Sequence, residues 1–302
     1  MDYRLEVMFE PVHELIASLH TYICRNSHKK LDLPSTWAND TRQKLTPELD
    51  SLLSGTKMNA EWKLIYLLIH LCPDTVSAEG FLKWLDGLTV GDLNELVLNY
   101  VDQYPESMHD FRSRTLTMID GWNEQYFRHI EPTIITALQK ELNERKAAMH
   151  SMSQEVFIDE TTNGLRFMQT EGLNKLILIP QFHFQPINMI FRFGEVTLCH
   201  YSARINLEQE DFLSPHNYRV LRSLGERNRL KILRYLHKGP RSFSEIVRHL
   251  GLSKGITHDH IAKLRTAGLI CAHFDGDTLT EYSLRSHALL RIQSNLLDFI
   301  ER

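Results

Sequence analysis

The sequence predicts a mainly α protein of the α+β class. A helical N-terminal domain with a small β-sheet is followed by a C-terminal domain in which two closely coupled helices precede a hairpin. Three observations carry this reading. Apolar residues recur at three- and four-residue spacing through much of 11–148. Between 176 and 201 the texture changes to short β-branched and aromatic runs. From residue 216 onward there are 15 Lys and Arg against 8 Asp and Glu, a net of +7, leaving 19 basic and 30 acidic groups, a net of −11, in the 215 residues before it. Such a division suits one domain to a polyanion while the other repels it.

Taken in order, Arg4–Phe9 has the length of one short strand. Helices are expected near 11–26, 58–71, 92–102 and 110–129, with Trp62, Trp84 and Trp122 as core anchors. Pro47, Pro73, Pro105 and Pro132 punctuate these segments as helix starts or linkers. Leu176–Ile179 is a continuous apolar run ended by Pro180, which suits a buried strand. The runs 187–193 and 195–201, with Gly194 between them, read as a hairpin. The expected domains are therefore 1–150, helical; 151–215, a small β-containing segment packed on the helical domain; and 216–302, the basic domain.

Several classes of function find no support. No apolar run approaches the ~20 residues needed to cross a bilayer. The first ten residues have neither a basic start nor an apolar signal core, so a cytoplasmic protein without a membrane partner is expected. Cys24, Cys72, Cys199 and Cys271 lie far apart without ligand spacing, as free thiols in a reducing compartment do. His13 and His20 are two helical turns apart, roughly 10.5 Å along the axis, too far to share a metal as an i,i+4 pair does. His258 and His260 do not face each other on a helix. Asp275-Gly276-Asp277 with Glu281 is too sparse for a calcium loop. No GxxxxGK, GxGxxG or GxSxG pattern occurs. No catalytic residue, metal site or cofactor is expected.

The most specific signal lies at residues 242–264. Ser242 followed by Glu245 is a capping box, after which Phe243, Ile246, Val247 and Leu250 repeat at helical spacing and Gly251 supplies a left-handed stop. Only Leu252 separates that glycine from Ser253, the N-cap of a second helix whose core side carries Thr257, Ile261 and Leu264. So short a turn forces a steep crossing and frees the second helix to enter a major groove.

These residues resemble the bacterial ArsR family of winged-helix repressors. The likeness is carried by Asn228-Arg229-Leu230-Lys231-Ile232-Leu233, the Leu250-Gly251-Leu252-Ser253 turn, the Thr257–Leu264 helix with His260, and Leu264-Arg265-Thr266-Ala267-Gly268-Leu269-Ile270. A hairpin turning at Asp275-Gly276 and closing on Tyr282-Ser283-Leu284 completes it, over about 85 of the 302 residues. The resemblance implies base-facing positions at Lys254, Gly255, His258 and Asp259, with Lys263 and Arg265 on the DNA backbone. Three departures stand out. Gly255 replaces a small hydroxyl residue often found there. The wing tip, Phe274-Asp275-Gly276-Asp277, is acidic where family wings often carry arginines, so affinity falls to the recognition helix, Arg241 and Arg248. The paired cysteines with which many relatives sense metal are missing from Arg241–Glu245, and a lone His287 does not reproduce the alternative His/Asp site.

In the final segment, 286–302, Leu289, Ile292, Leu296 and Phe299 share one face, with Leu290, Leu297 and Ile300 beside it. Family members dimerise through terminal helices, which implies a homodimer here. The expectation is a transcription regulator, a repressor, with an N-terminal domain for dimerisation, effector response or both; its partners are double-stranded DNA, a second copy of itself and, where that domain responds to one, an unidentified small-molecule effector. Two alternatives stay open: a protein-interaction adaptor that keeps the fold, and an enzyme in residues 1–200 with an accessory winged helix.

Overall fold

The computed structural model describes residues 3–101, 103–168, 172–207 and 213–301. The chain runs through β1 (Arg4–Val7), α1 (Pro11–Ile23), α2 (Trp37–Arg42), α3 (Pro47–Gly55), α4 (Ala60–Leu71), α5 (Ala78–Gly87), α6 (Val90–Val97), α7 (Met108–Gln125) and α8 (Pro132–Ala148). It continues with α9 (Gln154–Thr162), β2 (Leu165–Phe167), β3 (Lys175–Gln181), β4 (Met189–Phe193) and β5 (Val196–Ser202). The C-terminal elements are α10 (Pro215–Leu224), α11 (Arg227–Leu236), α12 (Phe243–Leu250), α13 (Lys254–Thr266), β6 (Ile270–Asp275), β7 (Thr278–Leu284) and α14 (Ser286–Ile300).

These elements form two compact units. Residues 3–144 and 172–205 make the first; residues 145–168 and the described residues from 206 onward make the second. The expected segment 151–215 is thus divided. Its first part, α9 and β2, belongs with the basic domain, because β2 pairs in parallel with β6, Leu165 opposite Ala272 and Phe167 opposite Phe274.

In the helical unit the sheet order is β1-β3-β5-β4, parallel except for the β4–β5 hairpin. Gly194 makes the hairpin turn at φ +54°, and a Cβ there would meet the Asn99 carbonyl oxygen at 2.9 Å. Pro180 does not end its strand. β1 stops opposite Leu178, so from Ile179 onward β3 has only β5 beside it, and an edge tolerates a missing N–H. Ile177, Ile179, Leu198, Met189 and Phe191 turn one face of the sheet into a core shared with α1, α4 and α7. Trp62 and Trp122 are buried in that core, while Trp84 is half-buried against it.

α1 is buried from Val12 to Tyr22, polar residues included. Burying such a helix is favourable only where most of its polar groups find partners. Ser18 accepts the Trp122 indole N–H at 2.9 Å. Glu14 accepts the backbone N–H groups of Phe182 and His183 at 3.0 and 2.9 Å, and its Oε1 lies 2.5 Å from His183 Nδ1. His183 Nε2 lies 2.7 Å from the Tyr126 hydroxyl, which accepts the Trp37 indole N–H at 2.8 Å. His20 Nδ1 accepts the Trp62 indole N–H at 2.9 Å.

The second unit is a winged helix with an addition. Its sheet runs β2-β6-β7, and Arg241 and Tyr282 exchange backbone hydrogen bonds of 2.8 Å at the far side of β7. Arg285, buried at the β7–α14 junction, holds the addition in place. Its guanidinium donates to Asp159 Oδ2 at 2.7 Å, the Asp159 carbonyl at 3.1 Å, Asn163 Oδ1 at 2.9 Å and the Gly268 carbonyl at 3.2 Å. Asn163 and Gly164 turn the chain from α9 into β2 at φ 60° and 104°. A Cβ on Gly164 would meet the Ile270 carbonyl oxygen at 2.8 Å, so the close approach of β2 to β6 requires glycine.

Removing one partner of a buried ion pair leaves the other charge uncompensated, so Arg285→Ala is expected to cost about 3–5 kcal/mol. Arg291→Ala, which removes an exposed pair with Glu160, is expected to cost about 1 kcal/mol or less; urea unfolding of both variants checks the contrast.

A second expectation concerns pH. Burial pushes His13 and His20 down to about 4 and His200 well below its ordinary value. Each is neutral in the fold but protonates in the unfolded chain near 6.5, so stability is lost as pH falls below about 6.5. For His13 and His20 the loss levels off near pH 4. Each histidine contributes on the order of 1.4 kcal/mol per pH unit in its window. Urea midpoints between pH 7.5 and 4.5 are expected to fall accordingly, and His13→Gln to flatten the profile.

Candidate nucleic-acid interface

The helix-turn-helix forms from local signals that agree with one another. Ser242 accepts the Glu245 N–H, while its own N–H donates to Glu245 Oε2 at 2.9 Å. Those hydrogen bonds hold the Glu245 carboxyl below its usual range. Gly251 ends α12 in the left-handed region at φ 66°, and Ser253 caps α13 by accepting the Ile256 N–H. Thr257, Ile261 and Leu264 are buried together with Ile246 of α12, so α13 is anchored along one stripe.

The other side of α13 is open. Lys254, Gly255, His258, Asp259 and Lys263 are all exposed. A Cβ on Gly255 would have nothing within 4 Å. His258 meets the Phe243 ring edge-on, with centroids 6.4 Å apart. Asp259 is tied to Lys263, one turn later, at 2.7 Å. Asp259 therefore carries its own counter-charge on the exposed face.

Arg265 departs from expectation. It is half-buried and hydrogen-bonded to the Tyr282 phenol, and burial holds its guanidinium below its usual value. Tyr282, itself buried, is raised by the same desolvation although Arg265 opposes it. The Arg265 guanidinium therefore lies against the wing strand, less open than the exposed residues of α13. Arg241 lies with its guanidinium 5.0 Å from the Tyr235 ring, and Tyr235 stacks on His249 at 3.9 Å. Arg248 is exposed on α12.

The wing is short and pinned. Phe274 is buried and stacks on Phe167 of β2 at 5.8 Å, while Asp275 and Asp277 at the tip stay exposed. The hairpin edge that a lone wing would leave open is occupied by β2.

Two features went unread in the sequence. Arg227, Lys231 and Arg234 form an exposed basic stripe on α11, with Lys238 just past its end. Their i, i+4, i+7 spacing is visible in the sequence, where it reads equally as a solvated helix face. Ile256 is the second. It is 51% exposed among the basic and polar groups of α13.

Elsewhere in this unit Asp159, Glu160 and His287 bring ligand atoms within 4.8 Å of one another, a grouping that their separation in sequence concealed. Both carboxylates already hold guanidiniums: Asp159 that of Arg285 at 2.7 Å, Glu160 that of Arg291 at 2.6 Å. Burial opposes the shift, yet Arg291 and Arg285 keep the Glu160 carboxyl below its usual range.

On α14, Leu289, Ile292 and Leu296 are half-buried, and the helix packs on α10. Leu290, Leu297, Phe299 and Ile300 are exposed, Leu290 by 80%. In the helical unit a groove of about 390 Å³ is floored by Trp62, Ile65, Phe111 and Met118 and rimmed by Lys57 and the Arg114–Glu61 pair. The buried Glu14–His183–Tyr126 chain contributes nothing to its lining.

Two short helices joined through a left-handed glycine, the second anchored on one stripe and open on the other, with a hairpin behind them, define a winged helix-turn-helix of the DNA-reading class. Residues 226–271, from the start of α11 into β6, match the family described as bacterial regulatory protein, arsR family. The resemblance seen in the sequence is therefore met over these residues, where the chain is similar to that regulatory family. Comparison of the chain with curated proteins and with solved structures finds no match. Among the described residues, no helix is long and apolar enough to cross a membrane.

Arg265→Ala is expected to lower the thermal midpoint, because it strips a buried phenol of its partner. Lys263→Ala, on the open face, is expected to leave the midpoint within the small range of surface substitutions. Calorimetry of the two variants separates brace from contact.

Proposed function

We propose that this protein is a cytoplasmic, homodimeric transcription regulator that represses by occupying promoter DNA through α13. The observation that carries the reading is the open face of α13, with Lys254, Gly255, His258 and Asp259 outward over a stripe buried to the last atom of Thr257 and Leu264. The net charge of +7 from residue 216 onward supports the same partner. In this reading Lys254 reaches a guanine edge or a phosphate, His258 donates to a base or a phosphate, and Gly255 lets the backbone approach closely. Asp259, already paired with Lys263, accepts from a cytosine amino group. Lys263 and the α11 stripe hold the backbone.

Dimerisation is assigned to α14, where Leu290, Leu297, Phe299 and Ile300 leave a wide apolar face in solvent beside the half-buried Leu289, Ile292 and Leu296. Two-fold symmetry then places two recognition helices about one turn of DNA apart. The helical unit carries the effector response. Its groove has a volume within the usual range for small-molecule sites, apolar below and charged at the rim. All four cysteines are free, in keeping with a reducing compartment.

Binding of the full chain to DNA fragments selected from a random pool, followed by fluorescence anisotropy across salt, tests the central reading. Affinity is expected to fall steeply with salt, and Lys254→Ala, if Lys254 reaches a phosphate, to reduce the slope by about 1. Salt-insensitive binding, or none from any pool, would exclude it. For the dimer, Leu290→Glu with Leu297→Glu is expected to convert the sedimenting species to a monomer and to weaken DNA binding together. A variant that stays dimeric moves the interface off α14.

A further inference from the structure

We infer that Ile256 is a specificity-determining residue that reads the C5-methyl group of a thymine in the major groove. The inference rests on DNA binding through α13 and names what that helix selects.

Both helices of the motif begin with a serine N-cap, but they differ three residues later. α12 has Glu245, which completes a reciprocal capping box with Ser242. α13 has Ile256, whose N–H reaches Ser253 Oγ at 3.4 Å but whose side chain returns nothing. The first turn of a helix favours an acid, and an exposed position favours an unbranched side chain over isoleucine. Ile256 forgoes both preferences and is left 51% exposed. An acid at this place would enter the negative potential of the groove, so its replacement by an apolar residue suits a polyanionic partner.

The surroundings make the side chain available. Gly255 sets no side chain next to Ile256 in sequence, and both residues are exposed. Asp259 and Lys263 neutralise each other one and two turns further on. A β-branched side chain is stiff at χ1, so its methyl groups hold one position at little further entropic cost. The first residues of a recognition helix contact base edges, and thymine presents the one methyl group among the base edges there.

Deoxyuridine differs from thymidine only by that methyl. Each thymine in the selected DNA is replaced in turn by deoxyuridine and the affinity of the full chain measured. One position per half-site is expected to weaken binding by about fourfold, the worth of one buried methyl-sized group. Ile256→Ala is expected to weaken binding to the parent DNA and to lose that sensitivity, whereas Ile256→Val, which keeps the branched methyls, retains it. Thermal midpoints of both variants are expected to match that of the parent protein, since the side chain is exposed. Salt-dependent binding with no sensitive thymine, or equal sensitivity in Ile256→Ala, overturns this inference and leaves DNA binding standing. Failure to bind any DNA removes both.

Discussion

The winged-helix unit depends on one buried guanidinium. Arg285 places its charge where only 6% of the residue is exposed, and such a charge is tolerable only when paired and fully hydrogen-bonded. Its acceptors come from α9, from the turn that leaves it and from the turn between α13 and β6. α9 cannot depart without stranding that charge. With α9 held, β2 is delivered to the edge of β6, and Phe167 is set against Phe274 near the tip of the wing. One ion pair thus decides that the wing is a braced corner of a three-stranded sheet.

In the proposed reading that constraint leaves contact with DNA to the helices. A pinned wing ending in two aspartates has little to offer a phosphate backbone. α13 presents cations, an exposed isoleucine and an acid already neutralised by its neighbour. Arg265, which the resemblance set beside these groups, lies half-buried against Tyr282, and Tyr282 in turn exchanges backbone hydrogen bonds with Arg241 ahead of α12. The scaffold behind α13 therefore takes up part of the surface of one arginine. The basic stripe of α11 restores cationic surface.

Much of this was legible before any fold. Ser242, Glu245, Gly251 and Ser253 act on backbone groups within three or four residues, so their meaning is written in their spacing. The stripe of Thr257, Ile261 and Leu264 follows from helical period alone. The strands of the helical unit were legible as apolar runs, but their parallel order was not, since Lys175–Gln181 and Val196–Ser202 meet across an intervening hairpin strand. Ile256 was overlooked because an isolated apolar residue on a helix carries no periodic signal; its exposure gives it meaning.

By itself the sequence determined the class of fold, the helix-turn-helix with its caps, and the division of charge between an acidic and a basic part. These depend on near neighbours and on composition. The tertiary structure alone decided that residues 154–167 belong to the winged helix, that Arg265 lies against Tyr282, and that Asp159 and Glu160 meet His287. The first and last of those facts join positions more than a hundred residues apart, and the second joins α13 to β7. Whether such groups meet depends on which arrangement leaves the fewest charges and hydrogen-bonding groups unpaired in the interior, a property of the whole packing.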